Sequence, residues 1–217
     1  MKVISFTGSG GKTTLIEKIA KKYSSKRVLI TTSTKIFIPK NEDYTIYKSM
    51  EDFKRNYIAN PGIYVFGEKI LDGKIHAVEK ESIDFLSKFF DLILIEADGS
   101  KEKPLKAWRS FEPVIYNNTY QTIGVMPIDL IGLEFDEEKI FNFDLFEDKY
   151  VYRDKFDTKL YSDIINDPDA LFKNATRKIL YLSRSDLIDQ KDASKIVSDL
   201  ERRTGLKIIT KVEDFDI

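Results

Sequence analysis

Short apolar runs alternate with amphipathic stretches along this chain. Runs rich in β-branched and aromatic residues predict strands near residues 2–7, 27–32, 62–67, 91–96, 121–126, 178–183 and 206–210. Apolar residues at helical spacing predict helices at about 13–23, 50–59, 79–90 and 190–203, with a shorter helix at about 168–175. Strands that alternate with helices are typical of an α/β fold, so we predict a three-layer αβα architecture around a mostly parallel central sheet.

Two segments depart from this alternation. The apolar run 63–66, followed by Asp72-Gly73 and Ile75, predicts a small hairpin at the edge of the sheet, because Asp-Gly favours a tight turn. Residues 134–161 are acidic and follow no clean period; their aromatic members are Phe135, Phe141, Phe143, Phe146, Tyr150, Tyr152 and Phe156. This stretch is either an inserted subdomain or partner-binding surface, or a segment packed against the main domain. Because no linker or break in composition divides the chain, we expect one domain over residues 1–217.

A glycine-rich run joins the first predicted strand to the first predicted helix, and we call it the phosphate loop. It consists of Gly8, Ser9, Gly10, Gly11, Lys12, Thr13 and Thr14. Glycines let backbone N–H groups turn toward phosphate oxygens, and the start of the following helix adds positive potential. Lys12 is then expected to reach the terminal phosphates of a nucleotide, and Thr13 to place its hydroxyl on Mg²⁺.

The phosphate loop departs from the strict pattern G-x-x-x-x-G-K-[ST], because Phe6 stands where the first glycine belongs. A shorter G-x-x-G-K-T-T turn, as in Mur-type amide ligases, accounts for this spacing. The alternatives are a purely structural glycine turn and a dinucleotide-binding turn. The dinucleotide interpretation is the weaker one, because Thr13 replaces the third glycine and Lys12 would have no role.

Acidic residues follow the most apolar of the predicted strands. The run 92–95 ends in Glu96-Ala97-Asp98-Gly99-Ser100, which reads as a Walker B-like element. Strand carboxyl ends face the ligand crevice in a doubly wound sheet, so these acids are expected near the phosphate loop. We predict Glu96 as the magnesium partner or water-orienting base and Asp98 as the alternate, with Lys12 as the third catalytic residue. The alternative is that the acids merely end a strand.

Three further groups are candidates for the same edge of the sheet. Thr32, Thr34 and Lys35 follow the second strand and are predicted to act as a switch segment, although threonine is also a good strand former. Lys101, Lys103 and Lys106 form a basic loop that is either a receiver for an anionic substrate or a solvated charge run. Asp186 ends the element Ser183-Arg184-Ser185-Asp186, at a position where GTPases read guanine with Asn-Lys-x-Asp, so it is a candidate base contact.

Composition limits the possible partners. A formal net charge of −1 argues against general binding to nucleic acid or to an acidic membrane. No apolar stretch approaches the roughly 20 residues that span a bilayer, and the N-terminus leads directly into a strand. The absence of cysteine excludes disulfides and thiolate metal ligands. We therefore expect a cytoplasmic protein whose ligand is a nucleotide, ATP or GTP, with Mg²⁺.

The assembled motifs resemble the YqeC family over most of the chain. The resemblance rests on residues 8–14, on Thr31 to Lys35, on Glu96 to Ser100 continuing into Pro104-Leu105-Lys106, and on Glu112-Pro113-Val114-Ile115. Two positions depart from the family pattern: Tyr116 stands where proline is usual, and Ser183 to Asp186 where an Asn-Lys-x-Asp form is usual. The resemblance implies a P-loop NTPase fold and a role as an accessory factor in maturation of a selenium-dependent molybdenum hydroxylase. It also implies a molybdenum hydroxylase or a cofactor-maturation protein as partner.

Three functions remain open from the sequence. The first is a nucleotide hydrolase that couples turnover to insertion or activation of a cofactor. The second is a kinase or ATP-dependent ligase that acts on a small anionic metabolite held by the basic loop. The third is a non-enzymatic nucleotide switch with residues 134–161 as its docking surface. All three depend on Mg-nucleotide binding at the phosphate loop.

Overall fold

The computed structural model describes residues 1–39, 41–150 and 154–217. Its strands are β1 (Lys2–Gly8), β2 (Arg27–Thr32), β3 (Lys35–Phe37), β4 (Thr45–Tyr47), β5 (Gly62–Phe66), β6 (Ile70–Leu71), β7 (Lys74–His76), β8 (Leu92–Glu96), β9 (Leu105–Lys106), β10 (Gln121–Pro127), β11 (Ile140–Phe141), β12 (Lys178–Ser183) and β13 (Ile208–Ile209). Its α-helices are α1 (Lys12–Lys22), α2 (Met50–Asn56), α3 (Lys80–Leu86), α4 (Phe143–Lys149), α5 (Thr158–Asn166) and α6 (Gln190–Thr204).

An eight-stranded sheet forms the centre of the molecule, in the order β13-β12-β10-β1-β8-β2-β5-β4. Every neighbouring pair in it is parallel, so all carboxyl ends lie at one edge. The predicted α/β class and all seven predicted strands are confirmed. β1 lies between β8 and β10, and this order brings the loop after β1 next to the acids that end β8.

Helices cover both faces of the sheet. Helix α1 packs Leu15, Ile16 and Ile19 onto the apolar side chains that β1, β8 and β10 present on one face. On the other face, α2 and α3 cover the half around β2 and β5, and α5 and α6 cover the half around β10 and β12. This is the predicted three-layer arrangement. Within the described residues, the structure contains no helix with the length and apolar character needed to cross a membrane.

The helix predicted at 168–175 is wrong. After Pro168 the chain makes successive short turns, with Ala170 N–H donating to the Asp167 carbonyl and Lys173 N–H to the Ala170 carbonyl, and Asn174 adopts a left-handed conformation. The helix in this region is α5, which begins at the Asp157 cap and buries apolar residues at helical spacing. Apolar residues at 170–172 instead fill the space beside glycines of β1 and β10.

The small hairpin is present with a different first strand. Asp72 and Gly73 form its turn as predicted, but the paired strands are β6 and β7, and β7 also pairs with β3. The run 63–66 belongs to the central sheet as β5, because that run is long and apolar enough to be buried between β2 and β4. Ile36 and Ile75 join the core cluster that includes the buried face of α1, so the three-stranded sheet packs against the main domain.

The aromatic segment 134–161 packs most of its described rings inward. Phe146, Tyr150 and Phe156 are buried in the cluster that includes Leu180 and Leu182 of β12. Tyr152 lies outside the described residues. This packing favours the interpretation as a segment folded onto the main domain, and the division into domains stays a prediction.

Candidate functional site

The phosphate loop leaves β1 at the carboxyl edge of the sheet and is built tightly against β10. Gly8 and Gly10 have φ angles of 92° and 74°, which favour glycine. A Cβ on Gly8 would lie 2.2 Å from the Val125 carbonyl oxygen, and one on Gly10 would lie 2.8 Å from Pro127 Cδ. These two positions therefore require glycine for both conformation and space.

Two serine side chains fix the loop to neighbouring segments. Ser9 Oγ donates to the Pro104 carbonyl at 2.9 Å, and Ser183 Oγ donates to the Gly10 carbonyl at 2.6 Å. Helix α1 then begins after Gly11 without a side-chain cap and without an acidic residue in its first turn. The first amides of a helix have no internal acceptor, so this end can receive an anion.

Lys12 is buried, with 3% of its surface exposed, and its ammonium is held by protein acceptors. Nζ donates to the Gly8 carbonyl at 2.5 Å and lies 3.1 Å from Asp98 Oδ1 and 3.8 Å from Glu96 Oε1. Burial alone would lower the pKa of Lys12, but the carboxylates of Asp98 and Glu96 raise it above its ordinary value. The ammonium therefore stays charged, folded back along its own loop.

Thr13 and Glu96 meet at the start of α1. Thr13 Oγ1 donates to Glu96 Oε2 at 2.9 Å. Adjacent ligands of an octahedral ion bound at 2.0–2.1 Å are about 2.9 Å apart, so the two oxygens have the spacing that Mg²⁺ needs. Burial raises the pKa of Glu96, and Lys12 offsets this only in part. Among the described residues, no group of three or more His, Asp or Glu side chains could hold a metal ion.

Asp98 is completely buried and surrounded by donors. Oδ2 accepts from Gly8 N–H at 3.0 Å and from Trp108 Nε1–H at 2.6 Å, and Lys106 Nζ lies 3.5 Å away. Burial would raise the pKa of Asp98, but Lys12 and Lys106 together with these hydrogen bonds lower it. Asp98 is thus an ionised carboxylate held by protein donors, whereas Glu96 lies beside Thr13. A catalytic role for Asp98 stays a prediction.

The residues after β2 lie against the end of β8. Thr32 Oγ1 donates to the Glu96 carbonyl at 2.9 Å and accepts the Thr34 N–H at 2.9 Å. Thr32 is buried, Thr34 is half-buried and Lys35 is exposed on β3. The structure thus brings Thr32 and Thr34 to the predicted edge, where Thr32 braces the backbone of Glu96. Their role as a switch stays a prediction.

The basic loop divides into exposed and buried lysines. Lys101 is exposed and lies 5.4 Å from the centre of the Phe141 ring, and Lys103 contacts the backbone and carboxylate of Glu138. Lys106 is completely buried. Its ammonium contacts protein acceptors and is not accessible to a substrate at the surface. The predicted substrate contact therefore remains for Lys101 and Lys103 alone.

An open groove of about 1500 Å³ continues from the phosphate loop between α1 and α6. Its lining includes Gly11, Thr14, Lys18, Asp186 and Lys211. Asp186 is exposed there, one turn beyond β12. The groove is open to solvent, and its volume is above the roughly 300–1,000 Å³ of ordinary ligand sites. The structure therefore brings Asp186 near the predicted phosphate site without identifying a base.

Sequence reasoning left three residues of this site without a role. Trp108 belongs to none of the predicted motifs, Glu112 entered only through a family motif, and Ser183 was seen only as a departure from asparagine. The contacts of Trp108 with Asp98 and of Glu112 with Lys106 depend on how the segment 98–114 folds back over the sheet edge. The contact of Ser183 with the Gly10 carbonyl depends on where β12 ends beside the phosphate loop. The signal available in the sequence was that Trp108 and Glu112 follow closely after the end of a buried strand.

Two comparisons with known proteins identify relatives. A family described as "YqeC protein" matches residues 4–144. A protein of Escherichia coli (strain K12), named "Uncharacterized protein YqeC", is 31% identical over 194 residues, which cover 84% of this chain and 75% of the relative. No solved structure matches the chain. The family match contains the phosphate loop, Glu96 to Ser100 and Glu112, whereas Ser183 to Asp186 lie beyond it.

Proposed function

The chain belongs to the YqeC family, and on that premise we propose that it is a Mg-dependent, nucleotide-binding P-loop protein that acts on the terminal phosphate. The observation that carries the proposal is the approach of Thr13 Oγ1 to Glu96 Oε2 at 2.9 Å, at the uncapped start of α1 and beside the Lys12 ammonium. A hydroxyl, a carboxylate, a cation and free helix amides are the groups that a Mg-nucleotide site requires.

The residues would divide the work as follows. The amides of residues 10–14 bind phosphate oxygens, and Lys12 leaves the Gly8 carbonyl to contact the terminal phosphates, where it stabilises negative charge. Thr13 and Glu96 would hold the metal ion, which would supply further charge neutralisation. Glu96 is also the candidate for orienting a water nucleophile, because Asp98 already accepts from Gly8 N–H and Trp108 Nε1–H.

The groove beside α1 is the proposed nucleoside site. Asp186 offers an exposed carboxylate there, which accepts hydrogen bonds from a guanine edge more readily than from adenine. Because Ser183 and Arg184 replace the usual Asn-Lys pair and Ser183 holds the phosphate loop instead, both ATP and GTP remain candidates. Competition between the two nucleotides for wild-type protein and Asp186→Asn identifies the base.

Phosphate release with Mg-ATP and Mg-GTP tests the reaction. We expect wild-type turnover that requires Mg²⁺ and falls at least tenfold in Glu96→Gln, because the amide carries no charge for the metal. Glu201→Gln, an acid-to-amide change on the exposed face of α6, is the matched control and should turn over normally. Equal rates for Glu96→Gln and wild type would refute the role of Glu96.

The acceptor of the phosphoryl group is open between water and a metabolite. Lys101 is exposed on the loop that follows Asp98, which favours an anionic acceptor as the second candidate. Turnover that rises strongly with one added acid would identify a kinase or ligase. Slow turnover with nucleotide-dependent partner capture would identify a switch.

The cellular role is part of the proposal through the family resemblance alone. It is an accessory step in maturation of a selenium-dependent molybdenum hydroxylase, with that hydroxylase or a cofactor-maturation protein as partner. The cytoplasmic location is also part of the proposal, and it rests on the composition of the chain. Nucleotide-dependent co-purification with the hydroxylase is the direct check on this part.

A further inference from the structure

A row of buried charges extends from the phosphate loop into the segment that follows β8. It consists of Lys12, Asp98, Lys106 and Glu112, and each is less than a tenth exposed. The proposed contact with phosphate accounts for the buried charge of Lys12 only. Burying the other three charges is costly unless each is paired and hydrogen-bonded, so their presence beside the loop calls for an explanation.

Asp98 connects the loop to that segment through both of its oxygens. On the loop side, Gly8 N–H donates to Oδ2 at 3.0 Å and Lys12 Nζ lies 3.1 Å from Oδ1. On the other side, Trp108 Nε1–H donates to Oδ2 at 2.6 Å. The carboxylate can therefore change its orientation only if the loop, Lys12 or Trp108 gives up a contact.

Lys106 is held in place by contacts with the segment that follows β8. Its ammonium donates to the Gly99 carbonyl at 2.7 Å, lies 3.3 Å from Glu112 Oε2 and 3.5 Å from Asp98 Oδ2, and sits 5.4 Å from the Trp108 ring centre. Glu112 Oε2 also accepts the Arg109 N–H at 3.2 Å. Lys106 thereby fixes the positions of the Trp108 indole and the Asp98 carboxylate.

We propose that Trp108 and Lys106 are positioning residues for the phosphate loop, which act through Asp98 on the Gly8 amide and the Lys12 ammonium. This inference rests on the proposed nucleotide binding. With its donors in place, Asp98 shares its charge among several partners. The Lys12 ammonium can then leave Asp98 and contact phosphate instead. If Trp108 stops donating, Asp98 can turn toward Lys12 and away from the Gly8 amide, so we expect nucleotide binding to weaken through Asp98.

The variant Trp108→Phe tests the proposal, because it keeps an aromatic ring and removes the N–H donor. Tyr150→Phe is the matched control: Tyr150 is a buried aromatic that donates to another carboxylate, Asp167, at 2.9 Å and has no contact with the loop. Because Trp108→Phe removes one hydrogen bond to a carboxylate that contacts the phosphate loop, we expect the Mg-nucleotide Kd, measured by calorimetry, to rise at least about fivefold in this variant. Tyr150→Phe should stay within about twofold of wild type at a similar cost in thermal stability.

The results separate the two claims. Wild-type protein that binds neither Mg-ATP nor Mg-GTP would overturn the proposed function itself. Wild-type binding with equal Kd values for Trp108→Phe and Tyr150→Phe would overturn the positioning role alone.

A measurement on wild-type protein covers the case in which Trp108→Phe does not fold. Trp108 is the single tryptophan of the chain, so its emission reports on the contact with Asp98. We expect saturating Mg-nucleotide to shift that emission, and an unchanged spectrum at full occupancy would contradict the coupling.

Discussion

Replacing Gly8 by alanine tests how closely the phosphate loop is built against the sheet. Gly8 ends β1, pairs with Val125 of β10 and has a φ of 92°. A Cβ at this position would lie 2.2 Å from the Val125 carbonyl oxygen and 2.8 Å from Leu171 Cδ1. That carbonyl also accepts the Ser9 N–H at 3.0 Å, so it cannot retreat without loss of a backbone hydrogen bond.

Two contributions determine the size of the effect. A residue with a Cβ in this left-handed region costs about 1–2 kcal/mol, and overpacking against fixed neighbours costs about 1–3 kcal/mol. Together they predict that Gly8→Ala lowers the free energy of unfolding by about 2–5 kcal/mol. Nucleotide binding should fall as well, because the Gly8 N–H and carbonyl contact Asp98 and Lys12.

Urea unfolding of Gly8→Ala and Gly132→Ala separates the two contributions. Gly132 has a φ of 97°, and a Cβ there would meet nothing within 4 Å, so this control carries the conformational cost alone, about 1–2 kcal/mol. The difference between the variants measures the steric overlap at β10. If Gly8→Ala is no less stable than Gly132→Ala, the proposed close fit of the loop is wrong.

Three further predictions concern the metal, the loop and pH. Thr13→Val keeps the side-chain shape and should weaken nucleotide binding strongly with Mg²⁺ but little in EDTA, as measured by calorimetry. Ser183→Ala leaves the Gly10 carbonyl without its donor and should cost about 1–3 kcal/mol of unfolding free energy, measured in urea. Arg27 holds the pKa of Asp91 at about 2, below its ordinary value. Because the folded-state pKa is the lower one, this pair stabilises the fold above about pH 4 and loses its contribution as pH falls through about 2. Both side chains are about a third exposed, so the contribution is about 1 kcal/mol or less, and wild type and Asp91→Asn should converge in unfolding free energy at low pH.

The fold was largely predictable because its strands are short, apolar and bounded by polar turns. Leu92 to Ile95 is apolar throughout, as a strand buried on both faces must be. The three-residue strand β4 carries too few residues to show a period, and its place is set by pairing with β5. Helix α5 was missed because its first turn lies at the end of the irregular aromatic segment, where the Asp157 cap was the available signal.

The candidate site was predictable where its residues directly follow the predicted strands. Lys12, Thr13 and Glu96 meet because parallel strands end at a common edge. The burial of Lys106 was not predictable, because neighbouring lysines at 101 and 103 have the same local pattern and different exposure. Only the fold of residues 98–114 distinguishes them, through contacts with Asp98 and Glu112.

Calorimetric titration of Mg-ATP and Mg-GTP into the folded protein tests the central claim most directly. We predict that wild-type protein binds at least one of them with one site per chain, and that Lys12→Ala loses most of that affinity. Circular dichroism establishes that both proteins are folded. Folded wild-type protein that binds neither nucleotide, or Lys12→Ala that binds as tightly as wild type, would contradict the account.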